Sequence, residues 1–351
     1  MNPSPLPESL ASAARDAEPP AQSARAVDLW CNFVAGGWSP YDLDEGLGGS
    51  EECLVLWAES LAERGHQVRI FHNSSRPGEE TTRRGVTYLP HVRFNPYQAR
   101  DVLVTWKSVH PWAMGARATR CIHWSSDVEQ PWPAKMLNRI DVFLTLTSFH
   151  REAMPWLESS KALVIPHGID LSHLDRLQRQ TVPQRAIYAS SPDRGLLTLL
   201  RDWPRIRLHR PGITLDVFYG WRQFRLCNFQ NPQAVAFREG IERLMGQEGI
   251  RFRGQVSREE LAAAYWEAEY WLHPLNRAES ELFCLNAVKA AYCGAKSVVN
   301  RIGALQDTVT QWIAYDEFIE GGETIHDSAT FPVMDWRTVV ARYWEPIFQG
   351  R

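Results

Sequence analysis

Glu281 is the residue from which a chemical reading of this chain starts. It stands in Arg277-Ala-Glu-Ser-Glu281-Leu-Phe-Cys-Leu-Asn-Ala-Val-Lys289-Ala-Ala-Tyr-Cys-Gly294, a polar and acidic run that turns apolar and small and stops at a glycine. With Trp271-Leu-His-Pro274 ahead of it, the pattern predicts a strand, a loop and a helix that begins near Phe283 and is ended by a left-handed Gly294. A helix start aims unpaired backbone N–H groups and the positive end of the dipole at whatever lies above it. A phosphate is the natural guest there, and Glu281 then stands beside the group which that phosphate carries.

Elements must position these residues, and composition bounds them. A chain of 351 residues, 44% of them apolar, suits two domains with real cores. With 38 basic and 41 acidic side chains the net charge is -3, which gives no reason to expect DNA or another polyanion as partner. Cys31, Cys53, Cys121, Cys227, Cys284 and Cys293 show no CxxC spacing, so reduced thiols in a cytosolic protein are expected, neither bridges nor zinc. The 15 tryptophans suit the C–H faces of sugar rings, but core and domain-interface packing covers most of them. Residues 1–25, rich in Pro, Ala and Ser, read as a disordered leader and not as a secretion signal. No run approaches the roughly 18 apolar residues of a spanning helix.

Arg25–Ala35 alternates as a first strand, a loop runs from Gly36 to Gly49, and Ser50 is the expected N-cap of a helix with Leu54, Ala58, Leu61 and Ala62 on its apolar stripe. Gly65 ends that helix before a strand from His66 to His72. Gly46, Gly48 and Gly49 do not spell a dinucleotide fingerprint, which argues against a dehydrogenase. Strands follow at 101–106, 120–124, 141–146 and 162–165, with helices at 131–137 and 149–157; Pro166-His-Gly-Ile-Asp170 then breaks the alternation. A second set of strand-loop-helix units starts at Arg185. It includes a capping box from Ser257 to Glu260 and ends in a helix from Asp335 to Phe348.

Several of these segments together resemble the retaining family 4 glycosyltransferases, which have the GT-B fold. They are Gly48-Gly49-Ser50-Glu51, Pro166-His-Gly-Ile-Asp170, Pro192-Asp-Arg-Gly195, Glu281-Leu-Phe-Cys with Lys289, and the loop at Gly303. The resemblance implies an α/β protein of two Rossmann-like domains facing across a cleft. Its parts are an N-terminal acceptor-side domain (26–165), a linker (166–184), a nucleotide-sugar-binding domain (185–332), and a terminal helix (333–351) crossing back onto the first domain.

The same resemblance implies site roles. Glu281 accepts hydrogen bonds from sugar hydroxyls, the amides of Cys284 and Leu285 clamp the diphosphate, Phe283 belongs to the same donor-binding stretch, and the Gly48–Gly49 loop approaches the donor by its backbone. Arg194 holds the position of the family's phosphate-binding lysine and supplies a bidentate fork. His123 matches a histidine placed on the transferred sugar. Two positions depart from the family: Lys289 replaces a second Glu that binds the ribose hydroxyls, and Ala189 replaces a second phosphate-binding arginine. Lys289 can donate to those hydroxyls, sit on a phosphate, or belong to a differently held donor.

The activity implied is retaining, metal-independent transfer of a sugar from a UDP- or GDP-type donor to a glycan-like or small-molecule acceptor, with no further cofactor and no protein nucleophile. Rival readings are a non-catalytic nucleotide-sugar-binding or interaction protein and a sugar-nucleotide epimerase. Asp42-Leu-Asp44 spells a metal-binding DxD but reads as a solvated acidic loop. The basic run Arg201, Arg205, Arg207, Arg210 reads as a solvated helix face, with an anionic lipid or glycan as the other option. No nucleic acid partner is expected, and a membrane is met peripherally at most, which puts the chain in the cytoplasm or at the membrane's inner face.

Overall fold

The computed structural model describes residues 22–31, 36–75, 78–228, 230–328 and 333–350. Most of the expected leader, residues 1–21, lies outside them. The chain divides into two compact units: an N-terminal one that runs to Asp170 and includes Met334 onwards, and a C-terminal one, Leu171–Val333.

In the N-terminal unit an eight-stranded sheet has the order β3-β4-β2-β1-β5-β6-β7-β8. The strands are β1 Ala26–Cys31, β2 Gln67–His72, β3 Thr81–Arg83, β4 Val86–Pro90, β5 Val102–Trp106, β6 Arg120–Trp124, β7 Val142–Thr145 and β8 Ala162–Val164. All neighbours are parallel except β3 and β4. That hairpin falls in a stretch with no strand expected. Arg84 and Gly85, at φ 45° and 80°, make the tight turn, and Val86, Tyr88 and Pro90 bury one face. Helix α1, Gly49–Glu63, follows β1; its N-cap is Gly48, not the expected Ser50. The expected helices at 131–137 and 149–157 are short, Ala134–Leu137 and Ser148–Glu152, each bounded by proline (Pro133 and Pro155).

The terminal segment belongs to this unit. Asp335 caps a helix that runs through a π turn, Val340–Trp344, to Phe348. Trp344 lies 4.9 Å from Trp57 and 5.0 Å from Trp124, and the fully buried Glu345 accepts from Arg64 at 2.6 and 2.8 Å. Gly168 explains its own presence here: a Cβ on it would lie 2.7 Å from Trp336 N.

The C-terminal sheet has the order β11-β10-β9-β12-β13-β14-β15. Its strands are β9 Arg185–Tyr188, β10 Thr214–Phe218, β11 Ile250–Gly254, β12 Tyr270–His273, β13 Lys296–Val299, β14 Gln311–Ala314 and β15 His326–Asp327, parallel except for the last pair. Helix α2, Leu196–His209, buries Leu196, Leu199, Leu200, Trp203 and Ile206 in the core of this unit. The same electrostatic device recurs in both sheets. Asp28 is held by Arg69 and Arg100, and Asp216 by Arg185 and Arg251, so each buried carboxylate has two guanidinium partners.

Candidate functional site

Strand order singles out one place in the C-terminal sheet. From β9 the chain proceeds outward through β10 and β11, then returns to lay β12 on the other side of β9, so the order reverses between β9 and β12. In open α/β sheets, ligands bind outside the carboxyl ends of the strands at such a reversal. The loops leaving β9 and β12 carry Arg194 and Glu281.

The two loops touch because of Gly195. It has φ +103°, and a Cβ on it would lie 2.1 Å from Pro274 O, so only glycine lets the β9 loop pass against the β12 loop. Arg194 Nη1 then donates to Glu281 Oε2 at 2.7 Å. The Glu281 side chain is 6% exposed and that of Arg194 35%, so the carboxylate is enclosed while the guanidinium keeps an open side. Burial pushes the Glu281 carboxyl above its ordinary value, and Arg194 partly opposes the shift. Arg194, beside Glu281, is held firmly protonated.

Behind Glu281 runs helix α3, Leu285–Tyr292, with Cys284 as N-cap and Gly294 left-handed at φ +81°. The helix starts two residues later than expected, because Cys284 stays extended (φ -89°, ψ 90°). The amides without an intrahelical backbone partner are therefore those of Cys284, Leu285, Asn286 and Ala287, of which Ala287 meets the Cys284 sulfur; Phe283 precedes the first turn. A second glycine holds this loop from below: a Cβ on Gly303 would meet Ala278 O at 2.5 Å.

Sequence reading missed Asn286, Tyr265 and His273 here. Asn286 donates to Ala189 O, at the end of β9, and accepts from Tyr265 Oη at 2.7 Å, tying the helix start to the β9 loop. His273, at the end of β12, is fully buried with its Nε2 3.9 Å from Glu281 Oε2, and burial with Arg194 nearby lowers its pKa to about 3. Only its place at a strand end before Pro274 hinted at it. Lys289 is 9% exposed, and its charge pulls down the Cys293 thiol that burial raises. Arg194, Glu281, Phe283, Cys284, Leu285 and Lys289 thus all lie on the β9 and β12 loops and α3. His273, Glu281 and Cys284 have donor atoms within 4.8 Å of one another, close enough to share a metal ion.

No family model and no curated protein matches the sequence. Solved structures do match in fold. A sucrose-phosphate synthase from Thermosynechococcus elongatus is 14% identical over 93% of this chain and 94% of its own, with TM-score 0.60. AviGT4, a glycosyltransferase involved in avilamycin A biosynthesis, is 16% identical over 93% and 97%, with TM-score 0.61. The catalytic domain of starch synthase IV from Arabidopsis thaliana, bound to ADP and acarbose, is 12% identical over 93% and 92%, with TM-score 0.55. The fold is GT-B.

The remaining candidates lie in the N-terminal GT-B unit. His123, on β6, is fully buried and both of its ring nitrogens are engaged. Trp112 Nε1–H donates to Thr105 Oγ1 at 2.9 Å, which leaves the Thr105 hydroxyl proton for His123 Nδ1 at 2.8 Å. His123 Nε2–H then donates to Glu129 Oε1 at 2.8 Å. Burial alone would raise the Glu129 carboxyl, but His123, Ser125 and Trp132 outweigh it and hold it below its ordinary value. Glu129, not His123, is the member of this chain with an exposed edge, its side chain being 13% exposed.

At Gly48 and Gly49 the start of α1 faces its own Glu51: a Cβ on Gly48 would be 2.3 Å from Glu51 Oε2. The carboxylate thus lies where an anion would approach these amides. Asp42 accepts from Ser39 N at 2.8 Å, which ties one half of the DxD into a cap. In the basic run, Arg205 faces Glu320, Arg207 faces Glu248 at 2.9 Å, and Arg210 is buried against Phe318 and Glu323. Those charges are answered within the C-terminal unit, which leaves Arg201 alone of the four without a carboxylate partner among the described residues. No helix among the described residues is long and apolar enough to cross a membrane.

Proposed function

We propose that the chain is a retaining, metal-independent glycosyltransferase that moves a sugar from a UDP- or GDP-type nucleotide donor to a glycan-like or small-molecule acceptor. The observation that carries this reading is the Arg194–Glu281 pair at the strand-order reversal, beside the first turn of α3. A leaving diphosphate gains negative charge as its bond to the sugar breaks. Groups that grip harder as that charge grows accelerate the reaction. Arg194, with an open side, and the amides of Leu285 and Asn286 are such groups. Glu281 is acceptor-only when ionised and suits sugar hydroxyls, a charged contact of about 1.5–3 kcal/mol when dry.

In the reaction the bond between the anomeric carbon and the phosphate oxygen breaks and a bond from the acceptor oxygen to that carbon forms. The acceptor proton passes to the departing phosphate oxygen on the same face, so the configuration is kept and no side chain attacks. The proteins that share this fold, a glycosyltransferase and sugar synthases among them, support this class.

The test is incubation of the full chain with a panel of UDP- and GDP-sugars and simple acceptors, with and without chelator. Release of nucleoside diphosphate and a product of unchanged anomeric configuration by NMR, neither lost on adding chelator, are expected. Nucleotide binding with no turnover on any acceptor favours the non-catalytic binding protein instead.

A further inference from the structure

We propose that His273, Glu281 and Cys284 form a binding site for a zinc(II)-class ion. Their imidazole nitrogen, carboxylate oxygen and sulfur converge within 4.8 Å, and all three residues are buried. The sharper observation concerns His273. Its ring is 0% exposed, and neither nitrogen has a hydrogen-bond partner. Buried polar atoms are paired in the great majority of cases, so an imidazole with neither nitrogen paired needs a partner that the neighbouring side chains do not supply.

The ring cannot turn away to find another partner. Trp271 stacks on it at 4.9 Å and 14° between planes, and Tyr188 at 5.9 Å and 29°, which leaves Nε2 3.9 Å from Glu281 Oε2. Cys284, the extended residue that caps α3, completes the set: its thiol donates to Glu281 and accepts from the Ala287 amide.

Donor type selects the ion. Nitrogen, sulfur and one carboxylate suit Zn²⁺, whereas Mg²⁺ and Ca²⁺ want oxygen throughout. Cys284 gives its proton to solvent on ligation. Thiolate and carboxylate then bring two negative charges and Arg194 one positive, so the donor set is net anionic once the thiol has ionised. Three protein donors leave the fourth position open to water. If Glu281 holds sugar hydroxyls as proposed above, an ion here withdraws that carboxylate, and zinc inhibits transfer.

The experiment measures metal and not turnover, so its outcome is independent of the transferase reading. The full chain, stripped with chelator, is titrated with Zn²⁺ against a chromophoric chelator and with Co²⁺ in the near ultraviolet. Wild type is expected to take up one Zn²⁺ per chain and to show a thiolate-to-cobalt charge-transfer band. Affinity should fall tenfold or more in Cys284→Ala, with loss of the band, and tenfold or more in His273→Phe, which keeps the ring stack. Circular dichroism checks that both variants are folded. Absence of zinc uptake by wild type, or uptake unchanged in either folded variant, overturns the proposal.

Discussion

Arg194 and Glu281, 87 residues apart, share a 2.7 Å hydrogen bond in which the carboxylate is enclosed and the guanidinium is not. Removing the cation therefore strands a buried negative charge. Arg194→Ala is expected to lower stability by about 3 kcal/mol at pH 7.5, the lower end for breaking a buried pair because Arg194 is partly solvated. The sign of its pH dependence follows from Glu281. Its folded pKa lies above the ordinary value, so the burial penalty is full above the folded pKa and fades as pH falls toward 4.5. Urea unfolding at pH 7.5 and pH 5 should show the defect shrinking on acidification. An equal defect at both would mean that Glu281 is not the group left uncompensated.

Gly195 sets the spacing between the two loops. Gly195→Ala puts a Cβ 2.1 Å from Pro274 O at a φ of +103°. A left-handed alanine alone costs about 1–2 kcal/mol, and the clash pushes Arg194 away from Glu281. Thermal melting should show a loss of at least that size, accompanied by weaker nucleotide binding. A variant that melts and binds as wild type would show that the loops do not depend on this approach.

Glu281→Gln keeps the shape and removes the charge. Loss of one charged contact to a sugar hydroxyl, about 1.5–3 kcal/mol, corresponds to a roughly 10–100-fold fall in kcat/KM for the sugar donor. Affinity for the free nucleoside diphosphate, which has no sugar to contact, should change little. Equal losses for both ligands would place Glu281 on the phosphates instead.

How much of this was legible in the sequence differs from element to element. Long parallel strands such as β5, Val102–Trp106, and β6, Arg120–Trp124, announce themselves as apolar runs between turn residues. The β3–β4 hairpin did not, because β3 is three polar residues, Thr81–Arg83, whose strand state depends on pairing with β4. Arg194 and Glu281 were each legible through the segments that carry the family resemblance. Their contact was not, since it depends on β9 lying next to β12, a pairing that local sequence does not encode. His273 was silent for the same reason: its isolation is a property of the rings stacked on it. Extended backbone at Cys284 delayed the start of α3, a two-residue detail below the resolution of helix-start signals.

The chain Trp112–Thr105–His123–Glu129 fixes the tautomer of His123, which can be tested apart from any activity. Thr105→Val removes the hydroxyl and leaves both the Trp112 Nε1–H and His123 Nδ1 unpaired in a buried site. A stability loss of about 1–3 kcal/mol follows from an unmet buried polar group. Denaturant unfolding measures it, and ¹⁵N NMR of the imidazole should report the Nε2–H tautomer in wild type and its disturbance in the variant. An unchanged tautomer and unchanged stability would remove Thr105 from the chain.

The central claim is that the Arg194 side of the strand-order reversal holds a nucleoside diphosphate. Calorimetric titration of UDP and of GDP into wild type and into Arg194→Gln tests it most directly. Saturable binding of one of the two by wild type, weakened tenfold or more in a folded Arg194→Gln, is the result predicted. Binding of equal strength in both proteins, or of neither nucleotide to wild type, would contradict it.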